Sequence, residues 1–345
     1  MEREFLMELL NANSVSGSET EIEKKIYRHM LPVADAVTVD EMGTVTAVVN
    51  PQAPFRVLMT GHADEIGLMV TAVTSEGFLK VTNIGGVYAT CFPGHKVRIH
   101  TKNGIVYGAV VNTRELCKKE GLKASDLTID IGALDKADAL KVVSLGNTVN
   151  FDTDVRFLLN DRITARAMDD RVGAYIVMEA LRLAKERGAS VGIYAAATTG
   201  EETTGNGAYF TASRVKPNIA IAVDVTYTSD YAGIDTGLTG DIRIGGGPVI
   251  CNNPSIHKKV NAMLLDAAAQ LNMPVQIEAA NGRTGTDGDI IHRTGLGVPF
   301  ALVSIPLRYM HCPDEVGSLK DIQDCAELLA RFLCSCSEDT DLKPF

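Results

Sequence analysis

Five short stretches of the 345-residue chain put acids or histidines where apolar runs end. They are GHADEIG (His62, Asp64), RAMDDRVG (Asp169, Asp170), TGEET (Glu201, Glu202), AVDVT (Asp224) and RYMHCPDE (His311). Imidazole nitrogen combined with carboxylate oxygen suits zinc, cobalt or manganese better than calcium, which prefers an all-oxygen shell. Cysteine is absent from most of these stretches. That argues against a closed structural zinc and for a catalytic site with an open position. His62 and Asp64 are two apart, so on an extended segment both face the same way. The carboxylate can then accept the second imidazole N–H and fix the tautomer, or it can simply cap a turn. Asp169–Asp170 ahead of a helix could likewise be an ordinary N-cap, although the doubling repeats at Glu201–Glu202.

Residues so far apart meet only if the strands that carry them lie side by side and end at one edge. In doubly wound folds ligands gather there, beyond the carboxyl ends of the strands. The sequence predicts strands over 191–198, 218–225, 275–278 and 298–305. It predicts helices over 171–187 and 256–271 and another after Thr286. A last helix opens with Ser318 and Asp321 as a capping box and buries Ile322, Ala326, Leu329 and Leu333. From about 71 to 162 the texture is all-β: FLKVTNIGG, HKVRIHT, GIVYGAVV, LTIDIGA and NTVNFDTD are short runs broken by glycine, the spacing of a small barrel or sandwich. The expectation is an α/β catalytic domain formed by residues 1–70 and 163–345, interrupted by an all-β domain at 71–162.

Bulk properties narrow the function. The balance of 46% hydrophobic and 22% charged residues is that of a globular protein, and a net charge of −10 argues against nucleic acid and anionic membrane as partners. No stretch reaches the ~18 apolar residues of a membrane span. MEREFLMELL does not read as a secretory signal. Seven scattered cysteines, at 91, 117, 251, 312, 325, 334 and 336, form neither a redox motif nor a zinc knuckle, which points to a reduced, cytoplasmic setting.

HADEIG, MDDRVG, GEE…GNGA, the GGGP at 245–248, GTDGD and RYMHCPDE, in this order along almost the whole chain, resemble the M42 family of metallo-aminopeptidases. These are the glutamyl- and tetrahedral-aminopeptidase relatives in the co-catalytic zinc peptidase clan. The resemblance implies a zinc-peptidase-like α/β sandwich whose barrel-like insertion makes the dimer contact. It implies two divalent ions per chain, zinc or cobalt, with His62 and Asp224 on one, Glu202 and His311 on the other, and Asp169 bridging. It further implies Glu201 as general base, Asp64 as the carboxylate behind His62, short peptides as substrates, and a homo-oligomer between dimer and dodecamer. Family members usually read EEVGLRGA where this chain has EETTGNGA. The departures at Gly200, Thr203, Thr204, Gly205 and Asn206 spare the ligands but alter the surroundings of Glu201.

Other signals read as structural. GGGP is a tight turn, to which the resemblance alone adds a place on the substrate cleft; Gly285, Thr286 and Asp287 start a helix or else touch substrate, and His29, His95, His100, His257 and His292 lack matching partners. A glycoside hydrolase is one rival reading. It would need two carboxyls ~5–9.5 Å apart and no histidine ligands, and this chain has no tryptophan and only 6% aromatics for sugar platforms. A non-catalytic binding protein that kept the fold is another, opposed by the retention of five ligand-type residues and a base.

Overall fold

Strands that are apolar on both faces need cover on both faces. In the computed structural model, which describes residues 2–345, this decides the architecture. Strands β1 (Ala36–Val39), β2 (Val45–Val49) and β3 (Arg56–His62) come first. Next are β4 (Gly67–Val73), β5 (Leu79–Ile84), β6 (Lys96–Thr101), β7 (Gly104–Val110), β8 (Thr128–Asp130) and β9 (Thr148–Phe151). The remainder are β10 (Arg156–Phe157), β11 (Arg162–Ala165), β12 (Gly192–Thr198), β13 (Ile219–Tyr227), β14 (Val249–Asn252), β15 (Gln276–Ala279), β16 (Phe300–Leu307) and β17 (Glu315–Ser318).

The large sheet has eight strands in the order β1-β2-β12-β3-β13-β16-β14-β15. Its central strands β12, β3, β13 and β16 run parallel, and β16 is buried along its whole length. The Met168–Glu186 helix lies on β3, β12 and β13, with the Leu319–Ser335 helix packed beside it. The approach is close enough that a Cβ on Gly61 would come within 2.3 Å of the Gly173 backbone, so the strand and helix meet through glycines.

The predicted strands and helices appear with ends shifted by a few residues. Ser318 Oγ accepts the Asp321 amide at 3.4 Å, but the reciprocal arm of the expected capping box is missing. The Asp321 carboxylate instead accepts the amides of Gly245 and Gly247, at 2.6 and 3.0 Å, and so pins the GGGP turn to the last helix.

The all-β block is a closed six-stranded barrel, β4-β5-β8-β7-β6-β9, around its own core of Leu68, Val81, Ile99 and Val149. Its first strand starts at Gly67, before the change of texture, because Leu68 and Val70 already alternate into that core. Strand β10 pairs with β11, and β11 with β17, outside the barrel. Among the described residues no helix is long and apolar enough to cross a membrane.

Candidate active site

The parallel strands bring the sequence motifs to one edge. His62 closes β3 opposite Thr198 of β12, and Glu201 and Glu202 follow directly on the turn beyond it. Asp224 lies near the end of β13, opposite Ser304 of β16, and His311 comes four residues after β16 ends. Asp169 stands at the start of the Met168–Glu186 helix, where it and Asp170 keep non-helical torsions.

Asp169 divides its two oxygens between the histidines. Oδ1 is 3.1 Å from His62 Nε2, and Oδ2 is 3.1 Å from His311 Nε2. The neighbouring glutamates also separate: Glu201 Oε2 faces His62 Nε2 at 3.9 Å, whereas Glu202 Oε1 faces His311 Nε2 at 3.5 Å. Donor atoms of His62, Asp169 and Glu202 lie within 4.8 Å of one another, as do those of His62, Asp170 and Asp224. Both imidazoles place Nδ1 against a backbone carbonyl, Asp64 O at 3.0 Å and Gly86 O at 2.9 Å. Donation from Nδ1 leaves both Nε2 atoms turned toward Asp169 as potential ligands.

The supporting acids do more than the sequence suggested. Asp64, fully buried, sits 3.5 Å from His62 Nδ1, but its carboxylate is occupied with the Glu201 and Glu202 amides, accepted at 3.0 and 3.2 Å. It therefore holds the double-glutamate turn, while the Asp64 backbone carbonyl rather than the expected carboxylate makes the hydrogen bond to His62 Nδ1. Asp170 caps the helix, as the sequence allowed, by accepting the Gly173 amide at 3.0 Å, and it also accepts the His62 amide at 3.1 Å. Glu315, which the sequence reading missed, accepts the amides of Asp169 and His311, at 3.1 and 2.8 Å. Its position four residues after the candidate ligand His311 was the only signal available. Thr198 Oγ1 donates to Asp287 at 2.6 Å.

The altered turn after Glu202 has its own geometry. Thr203 Oγ1 hydrogen-bonds Ser16 Oγ at 2.9 Å, and Gly205 takes φ +66°, where a side chain would be strained and would strike Ile290. The other five histidines lie apart from this cluster; His29 stacks on Phe5 at 3.6 Å and His292 on Phe300 at 5.2 Å.

Eight buried or nearly buried carboxylates (Asp64, Asp169, Asp170, Glu201, Glu202, Asp224, Asp287, Glu315) thus surround two imidazoles. Arg166 and Arg171 are no remedy, because both are paired with Glu65 in an adjoining buried network. Burial would raise Glu65, but the two guanidiniums override it and hold the carboxyl down at about 2. Inside the cluster most of the directions reverse, the exception being Asp169, which burial would raise but hydrogen bonds with His311 and His62 hold down. Burial, reinforced by Asp224, Asp287 and Glu202 against the opposing pull of His62, pushes Glu201 up to about 10. Burial likewise raises Asp170, Asp224 and Glu315. Burial would lower His311, yet its hydrogen bonds with Asp169 and Glu202 drive it up to about 11. Such a set is uncomfortable with protein charges alone and fits divalent cations, in number and in its nitrogen and oxygen donors.

An open cleft of about 280 Å³ lies over the cluster, walled by Thr226, Tyr227, Glu278, Thr284 and Thr286. Gly285 and Thr286, read from sequence as a helix start, border it ahead of the Gly288–Ile291 helix.

A match to the family described as M42 glutamyl aminopeptidase spans residues 43–328. The chain is 30% identical to a lysyl aminopeptidase of Pyrococcus furiosus, across 96% of each chain. The fold superposes on a TET aminopeptidase from a marine sediment archaeon of the Thaumarchaeota with TM-score 0.90, at 30% identity and 96% coverage of each chain. A Pyrococcus horikoshii TET1 peptidase, described as assembling into a tetrahedron or a large octahedral shell, matches with TM-score 0.85 at 26% identity, covering 97% of this chain and 99% of that one.

Proposed function

Since this chain belongs to the M42 glutamyl aminopeptidase family, we propose that it removes N-terminal residues from short peptides at a centre of two divalent ions, zinc or cobalt. His62 and Asp224 would hold one ion and Glu202 and His311 the other, with Asp169 shared. The observation that carries this reading is the division of Asp169, one oxygen toward each imidazole. Bound ions of this kind lower the pKa of water and polarise a carbonyl.

The chain's own groups do the rest. Glu201 faces the cleft beside His62 and takes the proton from the attacking water, then passes it to the leaving amine. Burial keeps the proton on Glu201, and divalent ions held by the neighbouring residues would favour its ionised form. Asp64 fixes the turn so that Glu201 and Glu202 point at different histidines. Asp170 and Glu315 hold the backbone of His62, Asp169 and His311.

Histidines between the acids oppose the glycosidase alternative. The enzyme works as a homo-oligomer, with the barrel making the dimer contact. The exposed barrel side chains Ile105, Tyr107, Leu134 and Leu145 support that contact. All seven cysteines are free, in keeping with a cytoplasmic setting. A panel of aminoacyl-nitroanilides and nitrophenyl glycosides, assayed before and after chelation, tests the proposal. Metal-dependent release of nitroaniline is expected, and cleavage of glycosides alone would overturn it.

A further inference from the structure

Cys91 and Cys312 are 221 positions apart in the chain, yet their sulfurs stand 3.9 Å apart. Both are free, half-buried thiols. Cys91 ends the short Ala89–Cys91 helix in the barrel segment between β5 and β6, and Cys312 directly follows His311. The same barrel segment supplies the Gly86 carbonyl that accepts from His311 Nδ1. It also supplies Tyr88, whose ring lies 6.2 Å from that of His311 and whose hydroxyl is 3.3 Å from that of Tyr227 on the cleft wall. The two sulfurs therefore sit where the barrel meets the loop that carries a candidate ligand.

We propose that Cys91 and Cys312 are a disulfide-forming pair whose oxidation locks the barrel segment onto the His311 loop and slows turnover. A disulfide needs its sulfurs about 2.05 Å apart. The remaining ~1.9 Å is within reach of side-chain torsions, because each cysteine stands on a connecting segment rather than inside a strand. In a reducing compartment the pair rests as two thiols. A small-molecule disulfide is the oxidant. One cysteine thiolate attacks it, forms a mixed disulfide and expels one small thiolate. The second cysteine thiolate then attacks the mixed disulfide at the protein sulfur, closes the Cys91–Cys312 bond and expels the other small thiolate. The two protons lost by the cysteines end on the two small thiols, so the protein is oxidised by two electrons and the oxidant reduced by two. Through Tyr88 the barrel segment touches Tyr227 on the cleft wall, so entry of a peptide is expected to displace it. With the barrel segment tied to the His311 loop, that movement is restrained. The effect on turnover rests on the aminopeptidase reading, whereas the disulfide does not.

The test treats the full-length protein with oxidised glutathione, then maps peptides by mass after alkylation. Both thiols are half-buried, so exchange is followed over hours. The expected result is a Cys91–Cys312 crosslink, loss of both sites to alkylation, and a fall in kcat of about fivefold or more that dithiothreitol reverses. Cys91→Ser should keep the reduced rate and ignore the oxidant. The proposal is overturned if both thiols stay alkylatable, if the crosslink forms elsewhere (Cys334 with Cys336), or if the crosslinked protein turns over at the reduced rate. Absence of hydrolysis by the reduced, metal-loaded protein would count against the aminopeptidase reading instead, and the mass map would still judge the pair.

Discussion

Replacing Asp64 by asparagine asks whether the double-glutamate turn is held from behind. The carboxylate accepts two backbone amides, those of Glu201 at 3.0 Å and Glu202 at 3.2 Å, from a fully buried position. Asparagine keeps the shape but has one acceptor oxygen, and its NH₂ group would face the other amide. One hydrogen bond to a charged acceptor is lost and a buried N–H is left without a partner, each worth about 1–3 kcal/mol. The sum, roughly 2–6 kcal/mol, corresponds to about 30- to 25,000-fold if it is expressed in the reaction. Steady-state kinetics on an aminoacyl-nitroanilide, with thermal unfolding on the same samples, separates the two expressions. The expected outcome is a fall in kcat of that order, with metal content retained and melting changed by only a few degrees. A variant within twofold of wild-type kcat, or one in which the whole loss appears as lowered stability, would refute the argument that Asp64 positions the pair.

Glu201→Gln should lose ~10²–10⁴ in kcat with metal content unchanged, whereas Glu202→Gln should lose metal first and recover in part with excess metal. Equal metal loss and equal rescue in both would make Glu201 a ligand. Glu65→Gln strands Arg166 and Arg171 in the interior and should cost about 3–5 kcal/mol in denaturant unfolding at neutral pH. The Glu65 carboxyl is lowered from 4.5 to about 2, so its contribution is present above pH 4.5 and the difference from Gln should shrink as pH falls toward 2. Glu23 goes the other way: burial, Glu19 and Asp40 raise it from 4.5 to about 7, so stability is full below pH 4.5 and declines as pH rises through 7. Glu23→Gln should therefore raise the Tm at pH 8 and leave it unchanged near pH 4, and a melting series across that range checks the sign.

The central strands were legible because they are long apolar runs that end in acids or histidines, and parallel pairing then requires those ends to meet. The barrel was legible from its short glycine-broken runs, apart from β4, whose alternation begins inside the stretch that also carries His62 and Asp64. Outside the strand-end cluster, contacts between residues far apart in sequence were not legible. Glu65 reaches Arg166 and Arg171 across 101 and 106 positions, and no periodicity marks such a pairing. Glu315 escaped notice because its work is done on backbone amides, which leave no trace in residue type. Asp321 satisfied a local capping pattern, yet its carboxylate was claimed by a distant glycine turn. Local rules name the residues that can act, and tertiary structure assigns their partners.

The central claim is that His62, Asp169, Glu202, Asp224 and His311 hold two ions with Asp169 shared between them. Metal-stripped protein titrated with zinc or cobalt, with bound metal measured per chain, tests it most directly. Two ions per chain are predicted for the wild type, with activity rising as they load, and Asp169→Ala should weaken both together. Full hydrolysis by the stripped protein, or an Asp169→Ala variant that still binds two ions at wild-type affinity, would contradict the account.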